Sequence, residues 1–274
     1  MELKYSFMSF STPQLTLEET MRLARQLGYA GIEPRVESGH RHGIELNATA
    51  ESRREAREMA IDSGVAICCI ATGCELADPS HQAKHIDDLL RYIDLAADVG
   101  AARVRVFGGQ FPENISRAQA IDLLASGLRA VAPHAASRGV RVCLETHDAW
   151  THPNYIAGVM RAVEHTAVGV NFDLWHPTRQ SGVPLENAFD SLRNWIDHCH
   201  FHDGLLRLDQ VGWRAIGAGE LDLSGFVRLL RAARYEGYVS GEWIDWEPAE
   251  VHLPRELAAM RKIEHEVEAL GAAQ

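Results

Sequence analysis

The chain has 274 residues and 46% apolar content, enough to bury one large core, and its length suits an eightfold α/β barrel spanning 1–274 as one domain. Its net charge of −11 is scattered along the sequence, which repels a phosphate backbone, so no nucleic-acid partner is expected. No window approaches the roughly 20 apolar residues that cross a bilayer, MELKYSFMSF lacks an export signature, and the cysteines (68, 69, 74, 143 and 199) are an odd set without a CxxC pair; a cytoplasmic protein with reduced thiols and no membrane role is expected.

FMSF reads as a first strand, and Thr16-Leu-Glu-Glu19 has the form of a capping box opening an amphipathic run that ends at Gly28. YAGIEP then reads as a second strand. Helical runs ending at Gly64 and Gly100 precede VAICCIA and AARVRVF, and a helix opening near Ser116 ends at Gly139 before VRVCLE. A glycine just past each helix supplies the left-handed residue that closes it. The apolar runs that follow, dense in Val, Ile and Cys, suit parallel strands buried on both faces. VGVNFDL and IDHCHFHD continue the series, then a helix over Asp222 to Glu236 stopping at Gly237, then YVSGEWI. PRELAAMRKIEHEVEALG closes the chain, with Pro254 in its first turn. Eight such units, each crossing right-handedly, predict a single (β/α)8 TIM barrel with its functional groups at the strand C-terminal ends. An open doubly wound sheet would usually carry a glycine-rich phosphate loop after its first strand; FMSFSTPQ has none.

Glu145, Asp173, His200 and Glu242 fall near the ends of the fifth to eighth strands. One such residue alone reads more simply as a helix cap or an ion-pair partner. Three carboxylates converging on one barrel mouth need a compensating positive charge, because burying an unpaired carboxylate costs several kcal/mol. A divalent cation supplies it, and three carboxylates with one imidazole favour Mn2+ or Mg2+, with Zn2+ and Co2+ open. His198, His200 and His202 share one strand parity and face inward, His198 fitting the role of a hydrogen-bonded core residue. His176, three residues past Asp173, either caps the following turn or reaches a substrate oxygen. Trp150, Trp175, Trp213, Trp243 and Trp246 either line a sugar pocket or pack loops together. Glu33 either anchors the opposite wall of the pocket or pairs with Arg35.

At LGYAGIE, LETHD, NFDLWH, HCHFHD, GAGELD and GEW, over nearly the whole chain, the sequence resembles the xylose isomerase-like TIM-barrel superfamily, in particular its sugar phosphate isomerase/epimerase group. The resemblance implies metal ligation by Glu145, Asp173, His200 and Glu242, with Mn2+ the leading cofactor. It implies that Glu145 and Glu242 act as an acid/base pair around a keto sugar or polyol, forming an enediolate whose charge the metal offsets. His176 would orient a hydroxyl, Trp175 and Glu33 would line the substrate site, and His202 stands where many relatives carry lysine. Relatives also imply a homo-oligomer, dimer or tetramer, although nothing in the sequence marks an interface.

The ketose 3-epimerases of this group carry a glutamate six residues after the first metal glutamate and an arginine six after the metal histidine. Here those positions are Thr151 and Leu206, with Arg207 one place late, so free-ketose epimerisation loses ground. The zinc endonucleases of the superfamily need histidines where this chain has CCIATG and RVFGGQ. The sequence therefore predicts a metal-dependent isomerase or epimerase of a small carbohydrate or keto-polyol. The alternatives are a lyase that dehydrates a keto-inositol or cleaves a 3-keto glycoside, and a non-catalytic sugar-binding barrel.

Overall fold

A computed structural model describes residues 2–207 and 212–272. Its strands are β1 (Lys4–Met8), β2 (Gly31–Glu33), β3 in two segments (Ala66–Ile67 and Ile70–Glu75), β4 (Arg103–Phe107), β5 (Arg141–Glu145), β6 (Val168–Asp173), β7 (Ile196–Phe201) and β8 (Tyr238–Gly241). All pair in parallel with their sequence neighbours, and β1 also pairs with β8, Phe7 lying opposite Gly241. The ring closes through β3. Its first segment pairs with β2, its second with β4, and a bridge between Arg35 and Ala71 spans the seam. VAICCIA, expected as one continuous strand, is thus interrupted at Cys68 and Cys69, where it passes from one partner strand to the other.

Nine helices are described: α1 (Leu17–Leu27), α2 (Ala50–Ser63), α3 (Gln82–Val99), α4 (Arg117–Arg138), α5 (Pro153–Val163), α6 (Trp175–Ser181), α7 (Leu185–Leu192), α8 (Leu223–Ala232) and α9 (Ala249–Ala272). Both halves of the Thr16–Glu19 capping box form, and α1 to α4 end in left-handed Gly28, Gly64, Gly100 and Gly139, as their sequences require. Two boundaries differ from expectation. Helix α8 stops four residues before Glu236 because Arg234 takes φ 52° and the Tyr235 N–H reaches back to the Leu230 carbonyl, closing the helix without Gly237. Helix α9 begins at Ala249, so Pro254 lies inside it rather than in its first turn.

Strand alternation divides the apolar residues between two layers. Val104, Val106, Val142, Leu144, Val168 and Val170 are buried strand residues of the hydrophobic core, whereas the polar side chains of β5 to β8 alternate with such residues and turn into the barrel.

Candidate metal centre

Register brings the four candidate ligands to one level. Asp173 on β6 lies opposite His200 on β7, His200 lies opposite Ser240 on β8, two residues short of Glu242, and Glu145 on β5 lies opposite Asn171 on β6. One ligand atom from each of Glu145, Asp173, His200 and Glu242 falls within 4.8 Å of the others. Ligands about 2.1 Å from an octahedral cation stand about 3.0 Å apart when adjacent and about 4.2 Å when opposite, so the cluster needs little contraction to hold one ion. His200 Nδ1 lies 3.1 Å from Glu145 Oε1 and 3.5 Å from Glu242 Oε2.

Asp173 divides its two oxygens between structure and site. Oδ1 accepts the N–H groups of Trp175 (2.7 Å) and His176 (3.1 Å), capping the start of α6. Oδ2 is fully buried and accepts no hydrogen bond; His202 Nε2 stands 3.5 Å away. A buried carboxylate oxygen that accepts no hydrogen bond and shares its site with two further carboxylates is an environment a divalent cation completes. The donor set fits such an ion.

The electrostatics agree. Burial alone would raise Glu242, but the hydrogen bond to His200 and its charge bring it down to about 2. Burial also opposes ionisation of Asp173, yet His202 and His176 hold it below the usual carboxylate range. Burial disfavours charge on His202 as well, and the neighbouring Asp173 outweighs it and raises its pKa.

Around the four ligands, sequence-derived candidates take differing positions. His176 does not cap the turn with its side chain; its ring packs 4.4 Å from that of His147, and its Nδ1 meets the Gln180 amide at 3.0 Å. Trp175 is 1% exposed and meets His202 edge-on at 4.9 Å, so it backs the mouth rather than offering an open face, and Trp213 flanks His202 at 5.0 Å. Trp150 and Trp243 are buried packing residues against Phe111 and Phe201. Glu33 turns inward from the wall opposite β7 rather than toward Arg35, and lies 2.7 Å from His198 Nε2 and 3.2 Å from His200 Nε2. His198 is accordingly a hydrogen-bonded core residue.

Several polar residues of the site were not singled out by the sequence. Arg105 on β4 is 1% exposed, with Nε 3.1 Å from Glu145 Oε2 and Nη1 donating to the Thr72 carbonyl at 2.7 Å. The signal was its inward parity among the valines of RVRVF. His147, in LETHD, has Nδ1 2.9 Å from Asp148 Oδ1. Asn171 Nδ2 lies 3.2 Å from both His200 ring nitrogens. Asp203, the last residue of HCHFHD, accepts the backbone N–H groups of Gly204, Gly217, Gly219 and Leu221. That carboxylate ties GAGELD to the end of β7, and a Cβ on Gly219 would stand 2.0 Å from its Oδ1. The two motifs are one structural unit. Thr151 bonds Ser181 at 2.7 Å, the Leu206 N–H bonds Glu220, and Arg207 is exposed.

Comparison with known proteins follows the same lines. A 3-dehydroshikimate dehydratase of Pseudomonas putida is 27% identical over 241 residues, 83% of this chain; the chain spans only 36% of that protein's length. A 3-dehydroshikimate dehydratase of Bacillus anthracis is 24% identical over 208 residues, covering 73% of this chain and 71% of the relative. Among solved structures, an L-ribulose 3-epimerase superposes with a TM-score of 0.81 at 17% identity, over 99% of this chain and 98% of that one. The family model described as xylose isomerase-like TIM barrel matches residues 21–263, and the chain belongs to that family.

Proposed function

We propose that this chain is a divalent-metal-dependent enzyme that removes a proton beside the carbonyl of a small polyhydroxylated ketone and returns it to the neighbouring carbon, as an isomerase, or to the opposite face of the same carbon, as an epimerase. The observation that carries this reading is the convergence of three buried carboxylates and one imidazole at the barrel mouth, with Asp173 Oδ2 accepting no hydrogen bond and His202 Nε2 3.5 Å away. A divalent ion bound there, Mn2+ in first place, supplies positive charge to neighbouring substrate oxygens and offsets the charge that develops on enolisation. Glu145, at the end of β5, and Glu242, one residue past β8, both approach His200 Nδ1, so one carboxylate can take a proton that the other gives back. His176 and His202 would orient hydroxyls. Trp175 and Trp213 pack against His202, and Phe107 packs against His147.

Elimination is a second reading, favoured by specific observations. In this reading His147, backed by Asp148 and packed against His176, would protonate a departing hydroxyl, which leaves as water while the enolate electrons form the new double bond. The two sequence relatives described above are both named dehydratases. Thr151 and Leu206 occupy the positions where ketose epimerases carry Glu and Arg.

The test is a screen of ketoses, inososes and keto-cyclohexane acids with metal-reconstituted protein in D2O, followed by NMR. Deuterium returned to substrate or an isomer supports isomerase chemistry, and an unsaturated or shortened product supports the lyase. Protein that carries no stoichiometric metal and binds sugars equally well in EDTA would overturn both and leave a binding barrel.

A further inference from the structure

Glu33 lies on β2 and the two imidazoles it meets lie on β7, with β1 and β8 between those strands, so this contact crosses the barrel interior. Glu33, His198 and His200 are all fully buried. Glu33 Oε2 sits 2.7 Å from His198 Nε2, while its two oxygens lie 3.2 and 3.3 Å from His200 Nε2. The opposite nitrogen of His200, Nδ1, faces Glu145 and Glu242.

An imidazole ligand presents one bare nitrogen to its metal and needs an acceptor for the proton on the other. Asn171 does not serve, because its amide stands equally far, 3.2 Å, from both ring nitrogens and is in line with neither. The Cys68 thiol does not compete, since it donates to the Ile32 carbonyl at 3.2 Å. Glu33 is the acceptor at Nε2. Its charge, buried away from water, in turn needs donors, and His198 provides a second one.

We infer that Glu33, steadied by His198, is a positioning residue that keeps the His200 proton on Nε2 and leaves Nδ1 free to ligate the divalent ion. The inference rests on the metal centre proposed above and assigns Glu33 a place behind it rather than in contact with substrate. Glutamine at 33 keeps one acceptor oxygen but loses the negative charge and puts an NH2 donor in place of the second oxygen, so it is a weaker acceptor for the two imidazoles.

The experiment compares wild type with Glu33→Gln in two ways. Calorimetric titration of the metal-free proteins with Mn2+ is expected to show about 10- to 100-fold weaker binding in the variant, the usual cost of losing such a partner. NMR of metal-free and Zn2+-loaded protein is expected to show a downfield, hydrogen-bonded His200 Nε2–H correlation that Glu33→Gln abolishes. Unchanged Mn2+ affinity in a folded variant overturns the inference, and so does wild-type Zn2+ protein whose His200 carries its proton on Nδ1. If Glu33→Gln does not fold, the wild-type spectra still decide. A wild-type chain that binds no divalent ion sinks the proposed centre, whereas the Nε2–H signal in that same sample judges this inference by itself.

Discussion

Replacing Arg105 with methionine keeps most of the aliphatic stem and removes the positive charge that faces Glu145. In the native chain the guanidinium lies 3.1 Å from Glu145 Oε2, donates to the Thr72 carbonyl at 2.7 Å and stacks 4.0 Å above the Phe107 ring. Both partners of the ion pair are 1% exposed, so the Glu145 carboxylate left behind cannot recover its hydration. Breaking a buried pair from one side costs about 3–5 kcal/mol, and the orphaned Thr72 carbonyl adds about 1 kcal/mol. His200, 3.1 Å from the other Glu145 oxygen, absorbs part of the imbalance, which places the expected loss near the low end, about 3 kcal/mol. For a chain of this size that is a drop of roughly 5 °C in melting temperature. Urea unfolding in EDTA measures it. Two further results follow if uncompensated charge is the cause: Glu145→Gln added to Arg105→Met should restore stability, and saturating Mn2+ should narrow the gap to wild type. A loss below about 1 kcal/mol in EDTA, or a double variant no more stable than Arg105→Met, would refute the reasoning.

Glu145→Gln alone is expected to abolish turnover and the Mn2+-induced rise in melting temperature, with the circular dichroism spectrum unchanged; an unaltered rate removes Glu145 from the mechanism. Away from the centre, His42 is 6% exposed, with Nε2 against the Arg35 carbonyl and Nδ1 accepting the Ile44 N–H, and burial lowers its pKa from 6.5 to about 4. Its neutral form is the folded one, so its contribution is complete above pH 6.5 and is lost as the unfolded chain takes up a proton between pH 6.5 and 4. Between pH 7 and pH 5 the loss is about 2 kcal/mol, and His42→Asn should lack that slope in urea melts; parallel pH profiles for the two proteins count against it.

The barrel was legible because its periodic signals are local. A helix ended by glycine and followed by a short Val/Ile run states its own secondary structure, and eight repeats leave few ways to close a parallel sheet. The four candidate ligands were legible for a related reason: a carboxylate or histidine at the end of an apolar strand conflicts with burial unless something compensates it. Arg105 escaped because Arg103 shares its parity, and alternation alone does not give depth along the strand. The structure separates them, Arg103 pairing with Asp197 while Arg105 reaches Glu145. The end of α8 escaped because Arg234 adopts a left-handed conformation that sequence statistics assign to the glycine three residues later. Glu33 was the hardest to place. The sequence offered Arg35, two residues away, as a partner; the one it meets is 165 residues distant, across a barrel whose stagger no single strand encodes. Local pattern fixes which side chains turn inward, whereas the shear of the closed sheet decides which of them meet, and the contacts between Glu33, His198 and His200 exist only at that second level.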